Sequence, residues 1–82
     1  MIQPTINING TSADDLINPR RRAMDHLNDA IEALKPVTPN GRDYPGDTER
    51  CLRDRDEHFA RLRTLKEIYE QIYAEAVAIS KQ

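Results

Sequence analysis

Aromatic residues, cysteine and glycine are all scarce in this chain of 82 residues, which has no Trp, one Phe, three Tyr, one Cys and three Gly. The lone thiol, Cys51, excludes an intramolecular disulfide and any cysteine-based zinc framework. Without staples or a metal, so short a chain buries a low fraction of its surface and is marginal as a monomer. No apolar run approaches the roughly 20 residues of a bilayer span, and Met1-Ile2-Gln3-Pro4 does not open like a secretory signal. An excess of basic charge is missing too. Twelve basic and fourteen acidic residues give −2, against the basic surface that duplex nucleic acid requires.

What is present is helical periodicity. Residues 1–11 read as a short extended arm, with Ile2, Ile6 and Ile8 in partial alternation and Pro4 and Gly10 limiting it to an edge strand or pairing arm. A first helix is predicted over 12–35, opening at Ser12 with Asp14 and Asp15 in the first turn. Met24, Leu27, Ile31 and Leu34 form its apolar stripe, and Pro36 ends it. Pro19 either kinks this helix or marks the first position of a shorter one capped by Asn18. A second helix is predicted over 47–80, where Leu62, Leu65, Tyr69, Ile72, Ala76 and Ile79 alternate spacings of three and four. The implied fold is all-α: one domain, an antiparallel two-helix hairpin with an N-terminal arm.

The second helix is longer than the first, so a hairpin leaves one end without its partner helix. The apolar C-terminal end is the expected overhang, and Tyr69, Ile72, Tyr73, Ala76 and Ile79 are its candidate oligomer interface. Either the arm or a second copy can cover it. The arm offers few apolar groups, so a homo-oligomeric helical bundle is the expectation.

The connection, 36–46, holds three prolines, Asn40-Gly41 and Pro45-Gly46, a stiff frame around Arg42, Asp43 and Tyr44. An Arg fork can grip phosphate, a Tyr ring can stack on a base, and an Asp can accept from a base amine. Arg42 and Tyr44 are thus the candidate ligand contacts, assisted by Asn40, Asp43, Arg50 and Arg53. The same residues can equally serve the fold, with Arg42 and Asp43 capping helix ends and Tyr44 covering the top of the stripe. Arg20, Arg21 and Arg22 can meet a polyanion, but Asp15, Asp25 and Asp29 are within helical reach and are their expected partners. Catalysis is not indicated: there is no Gly-rich phosphate loop and no nucleophile–base signature, so no catalytic residues and no cofactor are expected. Asp54 and His58 lie one turn apart, a spacing shared by metal ligands and by ordinary helix salt bridges, and the second is the expectation. Cys51 is expected to be an inert, buried or half-buried thiol.

The opening Asn9-Gly10-Thr11-Ser12 and the loop Pro39-Asn40-Gly41-Arg42-Asp43-Tyr44-Pro45 resemble a pattern in small, uncharacterised phage and prophage helical-hairpin proteins. The specific part of the likeness is about a dozen residues, and Pro19 departs from it. More loosely, a short hairpin that must oligomerise is similar to phage sponges that sequester cyclic nucleotide signals in anti-CBASS and anti-Thoeris evasion. These resemblances imply a non-enzymatic protein in the cytoplasm of an infected or lysogenic bacterial host. Its implied work is to sequester a nucleotide-like or other small anionic signal, without membrane or duplex partners. A protein–protein adaptor or inhibitor acting through a helical face is the alternative.

Overall fold

The computed structural model describes residues 1–7 and 10–82. Two helices, α1 (Ala13–Leu34) and α2 (Thr48–Ser80), make up the fold, and no strand occurs among the described residues. The arm is irregular rather than an edge strand; Ile8 and Asn9, on which part of that expectation rested, lie outside the described residues.

Local chemistry sets the helix ends. The Ser12 hydroxyl accepts from the Asp15 N–H at 3.2 Å and so caps α1, while Asp14 and Asp15 place negative charge at its N-terminus. α1 runs continuously through Pro19, so neither a separate turn nor a cap at Asn18 forms. Pro19 has no N–H to offer Asp15, but its neighbour Arg20 sends Nη1 back to the Leu16 carbonyl at 2.9 Å, reinforcing this turn. Pro36 forces the chain out of α-helix, into a 3-10 turn over Lys35–Val37 and, after Pro39, a second over Gly41–Asp43. Gly46 has φ +75°, a left-handed conformation that admits glycine freely, and it turns the chain into Asp47. Asp47 then caps α2 by accepting from the Arg50 N–H at 3.1 Å.

Two contacts set the register of the hairpin. His58 Nε2 meets the Leu34 carbonyl at 3.0 Å, at the C-terminal end of α1. Arg20 Nε pairs with Glu75 Oε1 at 3.2 Å, near its start. α1, about 33 Å long, therefore lies along the later two-thirds of α2, which is about 50 Å. The overhang is at the opposite end from the one expected. It is the charged first three turns of α2 that outrun α1, and the connection folds back over them instead of bridging the helix ends directly.

The C-terminal end is closed by the arm. The Gln82 side chain accepts from the Ile6 N–H at 2.8 Å and donates to the Pro4 carbonyl at 2.7 Å, a two-bond clamp across the whole length of the chain. Ile79 is 1% exposed there, so this residue of the expected oligomer interface is buried within a single chain. Tyr69, Ile72 and Ala76 are half-buried against the hairpin seam, and only Tyr73, at 56%, stands in solvent. Arg20 is likewise drawn away from the local acids expected to partner it, because Glu75 lies opposite across the seam.

Cys51, His58 and Ile79 are the buried residues of α2, and their spacings are multiples of seven. With Leu65 and Ile72 they form one column, of which His58, Leu65, Ile72 and Ile79 face α1 while Cys51 lies under the connection, the periodicity of a helix wound against another. Nothing on α1 is equally buried. The molecule measures 65 × 19 × 14 Å.

Candidate functional site

The loop end of the hairpin was the expected ligand site, and three side chains of α2 hold it in place. Tyr44 Oη donates to Asp54 Oδ2 at 2.7 Å. Arg55 Nη2 donates to the Pro39 carbonyl at 3.1 Å. Arg50 lies 5.3 Å from the centre of the Tyr44 ring, stacking a cation on one face, and its Nε is 3.8 Å from Asp47. Asn40 caps the second 3-10 turn by accepting from the Arg42 N–H at 3.0 Å. Tyr44, Asn40 and Arg50 are thus engaged in fixing the loop, while Arg42, Asp43 and Arg53 are exposed around it.

The six expected ligand residues do not line one cavity. A recess of about 330 Å³ opens beside the loop, and Tyr44 alone of the six lines it. Its other polar walls are Asp54, Glu57, His58 and Arg61, two acids against one permanent cation. That balance does not suit an anion. Asp54 and His58 do not pair with each other either: Asp54 takes the Tyr44 hydroxyl, and His58 turns to α1. Among the described residues no cluster of His, Cys, Asp or Glu could hold a metal ion.

His58 is the feature of this end that its spacing to Asp54 did not disclose. It is 0% exposed, and its partners settle its tautomer. The Leu34 carbonyl can only accept, so Nε2 carries the proton; the Arg61 guanidinium, 2.8 Å from Nδ1, can only donate, so Nδ1 accepts. The imidazole therefore ties the last turn of α1 to α2. The sequence signal for it was its place in the seven-residue column of Cys51, Leu65, Ile72 and Ile79. Arg55 was likewise missed, since one Arg among five in that half of α2 carries no distinguishing pattern.

The Asp54 hydrogen bond is the largest influence raising the Tyr44 hydroxyl above its ordinary pKa of 10.0; burial and the charges of Asp54 and Cys51 act in the same direction, and Arg50 opposes them. A group whose folded pKa is raised contributes stability that is fully present below the unfolded value and lost as pH rises through the folded one. The wild-type chain is therefore expected to lose stability above pH 10 relative to Tyr44→Phe, which has no hydroxyl to ionise. Urea denaturation of both proteins from neutral pH upward checks this; parallel curves would remove the Tyr44–Asp54 bond as a folded-state interaction.

No family model matches this chain, and no curated protein or solved structure matches it. No helix among the described residues is long and apolar enough to cross a membrane.

Proposed function

We propose that this chain is a non-enzymatic protein-interaction module that completes its core by self-association. The carrying observation is its surface. A single chain exposes 6250 Å², against about 5,000 Å² for a compact monomer of its mass. Its radius of gyration is 18.5 Å, where a compact domain of this length has about 12 Å. Two helices alone make a single seam, open along both sides, and an apolar stripe is stable when a further layer covers it. On α1, Leu16, Ile17, Met24, Leu27, Ile31 and Leu34 all keep partial exposure. The excess of about 1,200 Å² exceeds the roughly 800 Å² that each partner contributes to a standard interface.

The reactive groups support a non-catalytic reading. Cys51 is buried, Asp54 is held by Tyr44, and both nitrogens of His58 are engaged. Capture of a small anion remains the second reading, favoured by the exposed Arg42 and Arg53 beside the loop. It ranks behind because the Tyr44 ring and the Asn40 side chain, its natural stacking and hydrogen-bonding groups, already serve the fold.

Sedimentation equilibrium at micromolar concentrations is expected to return a mass at least twice the 9.4 kDa of one chain. A constant monomer mass up to several hundred micromolar would overturn self-association. Melting with cyclic dinucleotides or cyclic trinucleotides added is expected to leave the midpoint unchanged; a rise that disappears in Arg42→Ala would move the function to the loop.

A further inference from the structure

The face on which a second copy docks can be read from α2. Leu52, Phe59 and Tyr73 are among the most exposed large apolar side chains of the helix, at 51%, 40% and 56%. Their positions share a spacing of seven with Lys66, so Leu52, Phe59, Lys66 and Tyr73 form one ridge about 32 Å long that winds by about 20° per seven residues round the helix. The ridge lies about 100° round α2 from the column of His58, Leu65, Ile72 and Ile79 that faces α1. In a four-helix bundle each helix meets two neighbours at roughly right angles, and this is the direction of the second neighbour.

We infer that this ridge packs against the same ridge of a second copy, with the two α2 helices antiparallel, to form a four-helix bundle from two hairpins. The inference rests on the self-association proposed above and names its surface. Charge decides the direction. A parallel pair would set Lys66 against Lys66 in the middle of an apolar seam, and like charges there are desolvated without compensation. The antiparallel pair brings Lys66 opposite Phe59, where its alkyl stem and ammonium can lie along the ring, and Leu52 opposite Tyr73. The halves of α2 are complementary in the same sense. Residues 48–63 carry five Arg against four acids, and residues 64–80 carry one Lys against three Glu. Antiparallel packing sets the positive half of each helix beside the negative half of the other. A groove of about 300 Å³ between the helices, lined by Ile31, Lys66 and Tyr69 among others, lies where the second copy's Phe59 arrives.

The opposite flank has a groove of about 300 Å³ as well, lined by Leu34, Arg61, Thr64 and Leu65, but one exposed large apolar side chain instead of three. Ile68, 38% exposed, is half a turn round from Phe59 and stands between Arg61, Thr64, Gln71 and Glu75 on that side.

Paired substitutions at matched exposure test the ridge. Phe59→Glu is expected to convert the assembly to a 9.4 kDa monomer by light scattering, with helical circular dichroism retained at high concentration. Ile68→Glu is expected to leave the assembly intact. A wild-type monomer overturns self-association itself, whereas a wild-type dimer that survives Phe59→Glu and dissociates in Ile68→Glu overturns the ridge alone. Should Phe59→Glu fail to fold, disulfide trapping in a Cys51→Ala background gives an independent reading. A mixture of Phe59→Cys and Lys66→Cys chains is expected to cross-link between unlike chains at least about tenfold faster than either variant with itself. Preferential Lys66→Cys self-linking would show a parallel pair and overturn the proposal.

Discussion

Replacing His58 with Ala is expected to be the most damaging single substitution in this chain. The imidazole is fully buried and makes two hydrogen bonds, one to the last carbonyl of α1 and one from Arg61. Removing it takes one hydrogen-bond partner from the Leu34 carbonyl and one from the exposed Arg61, and opens a void in the helix interface. Two lost hydrogen bonds cost about 1–3 kcal/mol together, and the lost packing adds to that, so a loss of roughly 3–4 kcal/mol is expected. A domain of this size is stable by only about 4–12 kcal/mol, so this is a large share of the total. Urea denaturation followed by circular dichroism measures it. His58→Gln separates the two contributions, because a glutamine amide can replace the Nε2 donor to Leu34 but cannot also reproduce the Nδ1 acceptor. It is expected to fall between wild type and Ala. A His58→Ala chain within about 1 kcal/mol of wild type would mean that α1 and α2 are not tied at this point.

Ile79→Ala is expected to have the next largest effect, and it tests how the C-terminal end is closed. Ile79 is the most buried aliphatic residue, and truncating such a side chain costs about 2–4 kcal/mol. At about 4–8 °C per kcal/mol for a domain of this length, the melting midpoint should fall by roughly 8–32 °C. The Gln82 clamp on Pro4 and Ile6 makes a further expectation specific. Deleting residues 1–7 should expose the end of α2, and Ile79→Ala should then cost markedly less in the shortened chain than in the full one. Residues that share a partner couple in this way, whereas independent sites add. Equal losses in both backgrounds would show that something other than the arm buries Ile79.

Much of the architecture was visible from spacing. The alternating three and four of Met24, Leu27, Ile31 and Leu34, and of Leu62 through Ile79, located both helices. Ser12, Pro36 and Asp47 marked their ends within a residue, because capping is a contact between near neighbours and needs no tertiary information. The burial of Cys51 was expected, and Tyr44 was expected either to contact a ligand or to cover the top of the apolar stripe. What is seen is a third arrangement, a hydrogen bond to Asp54 and a cation stack with Arg50 that fix the loop on α2.

The overhang shows where that reading failed. Comparing two helix lengths says that an end is uncovered, but which end depends on how the connection closes. An eleven-residue loop drawn as a simple bridge would align the start of α2 with the end of α1. The actual segment folds back along three turns of α2, held by Tyr44–Asp54 and Arg55–Pro39. These pairs are separated by 10 and 16 residues, and nothing in local periodicity selects them. The shift moves Ile79 from a candidate interface to the interior and leaves Leu52 and Phe59 in solvent.

Helix, cap and turn were therefore settled by the amino-acid order, since each depends on contacts within a few residues along one chain. The register between α1 and α2, the closure by the arm and the identity of the exposed apolar ridge were not. They arise from pairs such as Leu34–His58, Arg20–Glu75 and Ile6–Gln82, separated by 24, 55 and 76 residues. At those distances several registers satisfy the same apolar stripe. Burial of a polar His58, a hydrogen bond and an ion pair, each demanding particular geometry, select one of them.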